Sequence, residues 1–261
     1  MRDLIWGILL NRPTVPMAKD AHIRQPIRVV FFDAAETLFH VNGSVAEIYL
    51  RYAVHFGYQA KPDSLSLITQ AFRRAFHDAP PPVFAAAESA QIKQSERLWW
   101  FDVVHNVFYR VGMFERFDEF FEHVFQVFAD PASWKLYPEV LPTLRELRSR
   151  GLELGIVSNF DSRLFTVWRG LGLADLFDTV TISSLAHAAK PSPKIFELAL
   201  EQHAVEPGEA MHVGDSVRDD VEGATKAGLT AVLLAREETQ APTGVPTIRT
   251  LDELVALTAS H

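Results

Sequence analysis

The chain has 261 residues, 48% of them hydrophobic, with a formal net charge of −8 and no cysteine. That length and apolar content fit a globular protein of one large domain or two unequal ones. The acidic balance argues against a general binder of nucleic acid or of anionic membranes. The lack of cysteine excludes disulfides, thiol catalysis and cysteine metal sites.

No apolar run approaches the roughly 20 residues of a membrane span, and the cysteine usage fits a reducing compartment, so a cytoplasmic protein is expected. Residues 1–26 contain Pro13, Pro16 and Pro26 and show no sustained period; they are expected to be a loosely attached arm. The apolar patch from Leu4 to Leu10 has no clear small-residue cleavage site after it, which disfavours a signal peptide. Met17-Ala18-Lys19-Asp20 looks like a more ordinary start, so residues 1–16 are expected to be an upstream extension. A native N-terminal peptide beginning at Met1 would exclude that.

Val29-Val30-Phe31-Phe32 reads as a strand buried on both faces. It ends abruptly at Asp33, with the hydroxyl of Thr37 four positions later. Four helical segments follow with no strand between them. Ser44 with Glu47 forms a capping signature for a helix to Phe56, closed by Gly57. Leu65 to Phe76 is the second. Glu88 to Arg110, after Pro80-Pro81-Pro82, is the third, and Phe117 to Phe128 the fourth. Their many aromatics are expected to be mostly bundle core, with some available to line a substrate cavity.

From Trp134 the pattern alternates. Pro138 to Arg150 reads as helix, Leu152 to Val157 as strand, Ser162 to Gly170 as helix and Thr179 to Ile182 as strand. Pro193 to His203 reads as helix, Ala210 to Val213 as strand, Val217 to Ala227 as helix and Leu229 to Leu234 as strand. A short helix from Leu251 to Leu257 closes the chain. Such alternation implies a parallel, doubly wound sheet with right-handed crossovers.

Three strands thus end in polar groups: Asp33, Ser158 and Asp215. In a parallel sheet those ends share one edge, where open α/β sheets bind ligands. Lys190 sits just before a proline-primed helix start, a place suited to an anion. Converging carboxylates repel unless a cation lies between them, and hard oxygen donors suit Mg²⁺. A metal, a lysine and hydroxyl donors can hold a phosphoryl group. Asp33 would be a metal ligand or a covalent nucleophile. Asp219 and Asp220 add acids one turn beyond Asp215, or simply favour a helix N-terminus.

Nearly everything after residue 27 resembles the haloacid dehalogenase superfamily. The four family motifs are matched by Asp33-Ala34-Ala35-Glu36-Thr37, by Ser158 within Ile156 to Asp161, by Lys190-Pro191-Ser192-Pro193, and by Gly214-Asp215-Ser216 with Asp220. The resemblance implies an α/β fold: a doubly wound, Rossmann-like core over residues 27–40 and 134–261, with an inserted all-α helical cap over 41–133. It implies a Mg²⁺-dependent phosphohydrolase acting on a small phosphorylated metabolite through an aspartyl-phosphate. Asp33 would attack phosphorus and bind the metal with Asp215. The Ala35 carbonyl would be a further ligand. Thr37 and Ser158 would hold phosphoryl oxygens, with Asn159 beside them. Lys190 would neutralise charge, and Asp220, or Asp219, would hold a metal-bound water or Lys190.

One position departs from the pattern. Family phosphatases carry a second aspartate two residues after the nucleophile, a general acid and then base; here it is Ala35. General acid–base catalysis is typically worth ~10²–10⁴-fold. Glu36 is the nearest substitute, although successive side chains diverge and it is expected to point elsewhere; His40 is another. Three alternatives follow from Ala35. One is a C–P bond hydrolase using an imine-forming cap lysine, Lys61 or Lys93. Another is a dehalogenase, and the third is a non-catalytic binder that kept the phosphate and metal pocket.

Overall fold

The computed structural model describes residues 26–85, 88–236 and 242–259. The expected upstream extension, and all of the expected arm except Pro26, lie outside the described residues.

Six strands form one sheet: β1 (Val29–Phe32), β4 (Glu153–Ser158), β5 (Thr179–Ile182), β6 (Ala210–Gly214), β7 (Thr230–Leu234) and β8 (Thr247–Ile248). Their order is β5-β4-β1-β6-β7-β8, and every pairing is parallel. The chain winds outward from β1 in one direction, then returns to β6 and winds out in the other. The crevice at that reversal, beyond the C-terminal ends of β1 and β6, is where such sheets hold ligands.

Strand β1 is apolar throughout because both faces are covered. Val30 and Phe32 pack against Val140, Leu144 and Leu147 of α5 (Val140–Ser149) and Leu164 of α6 (Leu164–Gly170). Val29 and Phe31 pack against Ile195 and Phe196 of α8 (Pro193–His203) and Ala224 of α9 (Gly223–Lys226). The period of two therefore appears in which layer each residue meets, not in a change of polarity. The last helix, α10 (Leu254–Ala259), joins the first layer through Leu254.

Between β1 and β4 the chain leaves and re-enters through a short antiparallel pair, β2 (Phe39–Val41) and β3 (Trp134–Leu136). These three-residue strands are too short to show a period, and the sequence reading passed over them. The helical segment between them comprises α1 (Val45–His55), α2 (Ser64–Asp78), α3 (Ser89–Val111) and α4 (Phe117–Val127). The capping signature is made as expected: Ser44 Oγ accepts from Glu47 N at 3.2 Å, and Glu47 Oε2 accepts from Ser44 N at 2.8 Å. The four helices build a hydrophobic core of their own around Tyr49, Ile68, Val107, Phe108 and Phe120. Phe108 meets Phe120 edge to face at 4.9 Å.

Further differences from the sequence reading are local, the short strand β8 among them. Val217 to Ala227 is not one α-helix: a single π-helical turn, Val217–Glu222, precedes α9. A four-residue helix, α7 (Ser183–Ala186), follows β5 directly.

Candidate active site

Each strand end delivers one side chain to the crevice. Asp33 follows β1, with its N–H donating to Val213 O of β6 at 2.9 Å. Ser158 ends β4, and its hydroxyl lies against the Asp33 carboxylate. Lys190, only 3% exposed, donates from Nζ to Asp33 Oδ1 and to Asp220 Oδ1, both at 2.6 Å. A buried ammonium is tolerated only when paired, and this one has two carboxylates.

Asp220 reaches this position through the π turn, a feature that often marks functional sites. Its Oδ2 accepts from Ser216 N at 2.9 Å. Its Oδ1 also lies 2.8 Å from His212 Nε2. A Cβ on Gly214 would sit 2.1 Å from Asp220 Cγ, so that side chain passes only because residue 214 is glycine. His212 escaped the sequence reading. Its signal was there: one polar residue inside the apolar strand Ala210–Gly214.

The carboxylates differ in charge state. Burial is the largest influence on Asp220 and would raise its pKa, but Lys190 and the His212 bond outweigh it and hold the group well below the usual range. Burial and the Asp220 charge push Asp33 up, against Lys190. The asymmetry follows from donors: Asp220 has Lys190, His212 and a backbone N–H, while Asp33 has Lys190 and Ser158. Burial would lower Lys190, yet Asp220 and Asp33 hold it above its ordinary value. Solvent reaches Asp215, but the cleft walls displace much of its hydration. That desolvation, then the charges of Asp33 and Asp220, push it up to about 7.

One oxygen each from Asp33, Asp215 and Asp220 lies within 4.8 Å of the others. An excess of hard oxygen donors over a single lysine suits a divalent cation. The Ala35 carbonyl accepts no backbone hydrogen bond among the described residues and its residue lines the same cavity, so it is available as a further donor. The residues present fit a Mg²⁺ site.

Other expected site residues fall differently. Asn159 clasps the Lys190 backbone, donating from Nδ2 to its O at 2.9 Å and accepting from its N at 2.8 Å; it positions the lysine. Thr37 is fully buried, off the cavity wall, and its Oγ1 has no partner among the described residues. Asp219 lines the cavity 4.0 Å from Arg218 and feels the Lys190 charge, but unlike Asp220 it makes no ion pair with Lys190. Glu36 does not point away as expected. Its left-handed backbone, φ +61°, turns it onto the cavity wall, where its carboxylate accepts from Tyr137 Oη at 3.1 Å. His40, Lys61 and Lys93 are not on that wall, and Lys190 is its one lysine among the described residues.

The cavity above Asp33 has a volume of about 670 Å³ and is walled on its far side by the four helices. Several contacts tie those helices to the loop after β4, among them Arg163 Nη1 donating to Phe125 O of α4 at 3.2 Å. Glu96 of α3 accepts from Ser162 N at 2.9 Å, and Trp100 Nε1 donates to Asp161 Oδ2 at 2.6 Å.

A family model described as haloacid dehalogenase-like hydrolase matches residues 27–228. The chain belongs to that family. Among haloacid dehalogenase-like hydrolases it is 33% identical over 214 residues to the human haloacid dehalogenase-like hydrolase domain-containing protein 3, covering 81% of this chain and 83% of that protein. Over a shorter stretch of 107 residues it is 39% identical to glyceraldehyde 3-phosphate phosphatase of Methanopyrus kandleri, 41% of this chain and 46% of that one. The crystal structure of a HAD phosphatase from Thermococcus onnurineus is similar at a TM-score of 0.62 and 27% identity, covering 88% of this chain and 97% of its own. The family membership makes this protein a hydrolase with the Rossmann-like fold of its relatives.

Proposed function

We propose that this hydrolase is a Mg²⁺-dependent phosphohydrolase of a small phosphorylated metabolite, with Asp33 as nucleophile. The observation that carries the reading is the Lys190 ammonium shared between Asp33 and Asp220 at 2.6 Å each, beside a third carboxylate. Lysine engages Oδ1 of Asp33, and Oδ2 attacks phosphorus. The Asp33–phosphorus bond forms as the bond to the leaving oxygen breaks, and the leaving group departs with the electron pair. Water then attacks phosphorus, releasing inorganic phosphate and the Asp33 carboxylate. A bound Mg²⁺, held by Asp33, Asp215 and the Ala35 carbonyl with Asp220 behind them, would supply Lewis-acid neutralisation of the phosphoryl charge. Ser158 donates to a phosphoryl oxygen, and Lys190 offsets the charge gathering between nucleophile and phosphate. The four helices act as the cap that excludes water from the site.

Phosphate release from an activated aryl phosphate in the presence of Mg²⁺ tests the reading. Asp33→Asn is expected to remove activity by at least about 10³-fold; equal activity would sink the nucleophile assignment. Ala35 favours one other reading, a protein that binds phosphate and metal without turnover. Binding of Mg²⁺ and a phosphate analogue with no hydrolysis across a broad phosphoester panel would select it. The imine-lysine route to C–P cleavage has no support in the cavity, because Lys61 and Lys93 lie off its wall.

A further inference from the structure

The cavity has two chemically distinct ends. At the sheet edge it offers Asp33, Ser158, Lys190 and Asp215. The helical wall offers rings: Phe72 and Phe76 of α2, Trp99 and Trp100 of α3, Phe125 of α4, and Phe128. Phe76 stacks on Trp100 at 6.0 Å and 29°, and Trp99 stands edge-on to Trp100 at 4.9 Å.

The polar groups of this wall are already committed. Trp99 Nε1 donates to Pro80 O at 2.7 Å, and Trp100 Nε1 to Asp161 Oδ2 at 2.6 Å. Arg163 is spent on Asp161, with Nη2 at 2.6 Å and Nε at 2.9 Å, and its guanidinium lies 4.2 Å from the Phe125 ring centre. The other cations of the lining, Arg73, His77 and Arg218, are exposed at its rim. A sugar or a second charged group placed flat against the rings, away from those rim cations, would lose water for few partners. A planar apolar group would gain burial and edge or face contacts. One exception stands in the wall. Tyr49 is 2% exposed, lines the cavity, and its hydroxyl has no hydrogen-bond partner among the described residues. Burial pushes its pKa up despite Arg163, so it stays a donor at neutral pH.

We propose that the substrate is the phosphate monoester of a bulky phenol, its ring system seated on the α2–α4 wall and one polar ring substituent meeting the Tyr49 hydroxyl. This rests on the phosphohydrolase reading above. Ala35 suits the same class. An aryl oxide leaves without a proton from the enzyme, whereas an alkoxide does not.

The test compares kcat/KM, with Mg²⁺, for 2-naphthyl phosphate, phenyl phosphate and acetyl phosphate. The two aryl esters have similar leaving groups and differ in ring size; acetyl phosphate has the best leaving group and no ring. The naphthyl ester is expected to exceed the phenyl ester by about tenfold, mainly through KM, and to exceed acetyl phosphate. Phe76→Ser changes a side chain that is 47% exposed, so the fold tolerates it, and it is expected to bring the naphthyl-to-phenyl ratio toward one. Among hydroxynaphthyl phosphates, at least one isomer is expected to bind more tightly than the unsubstituted ester and to lose that advantage in Tyr49→Phe. Equal values for naphthyl and phenyl esters, or a preference for acetyl phosphate, overturn the aromatic assignment and leave the phosphohydrolase reading standing. No gain for any hydroxy isomer overturns the Tyr49 contact. Hydrolysis of none of the three sinks the reading and the proposal together.

Discussion

Ala35 limits what the site can do with protons. It lines the cavity two residues after the proposed nucleophile and has none to give. Restoring a carboxyl there is expected to raise kcat on an alkyl phosphate by about 10²–10⁴-fold, with a smaller gain on an aryl phosphate whose leaving group needs no acid. Steady-state phosphate release by wild type and Ala35→Asp measures both. Glu36 is the side chain that could blunt this gain, since it lies on the cavity wall. Its carboxylate, however, is engaged by the Tyr137 hydroxyl. Tyr137 in turn is covered by Arg236, 3.4 Å from its ring centre, and Arg236 is bound to Glu139 at 2.6 Å and to Thr37 O at 2.8 Å. That chain of contacts holds Glu36 in a fixed place rather than leaving it free to swing toward a leaving group. A loss of activity in Glu36→Gln comparable to that in Asp33→Asn would overturn this ranking.

At the scale of elements, the seam between the helical layer and the sheet depends on Asp161. Its carboxylate accepts from Arg163 N, Nε and Nη2 and from Trp100 Nε1, and it is 2% exposed. Burial would raise its pKa, but the Arg163 charge and these bonds outweigh it and hold the group below its ordinary value. A depressed carboxylate stabilises the folded state above the unfolded pKa, and that contribution fades as pH falls through the folded one. Asp161→Asn is therefore expected to cost about 3–5 kcal/mol at pH 7, because Arg163 is left without its countercharge. The gap to wild type should narrow below pH of about 4, where the unfolded chain's carboxylate takes up a proton that the native one still refuses, and close as pH falls through the native pKa. Urea unfolding of both proteins at pH 7 and pH 3 measures it; a gap independent of pH would show that the ion pair is not the source.

For the whole molecule, the proposed cation site at the three crevice carboxylates has a consequence for stability. A ligand that binds only the native state stabilises it by mass action. At Mg²⁺ about 100-fold above its Kd the gain is about 2.7 kcal/mol. For a chain of this size that raises Tm by roughly 5–10 °C. Asp215→Asn removes a proposed ligand and is expected to abolish most of the shift. Thermal unfolding with Mg²⁺ and with EDTA reads it, and an undiminished shift in Asp215→Asn would place the cation elsewhere. Among the described residues no helix is long and apolar enough to cross a membrane.

A parallel, doubly wound sheet was legible because apolar runs bounded by Gly, Pro and polar residues report burial directly; its strand order and the short edge strand β8 were not. Asp33, Ser158 and Asp215 were legible because a parallel sheet brings strand ends to one edge whatever the loops do, and Lys190 because it precedes a proline-primed helix start. The helical insertion was legible from its length without strands. Tertiary structure alone decided the rest. Whether Asp219 or Asp220 meets Lys190 depends on a π turn and on the missing Cβ at Gly214, and helical spacing cannot separate neighbours in sequence. The turn of Glu36 toward the cavity depends on one positive φ. The division of the aromatics is also three-dimensional. Phe108 and Phe120 are core, while Phe76 and Trp100 face the cavity, and all four read alike in the sequence. Periodicity tells which side of a helix is covered; only the packed chain tells whether the cover is protein or an open space over the strand ends.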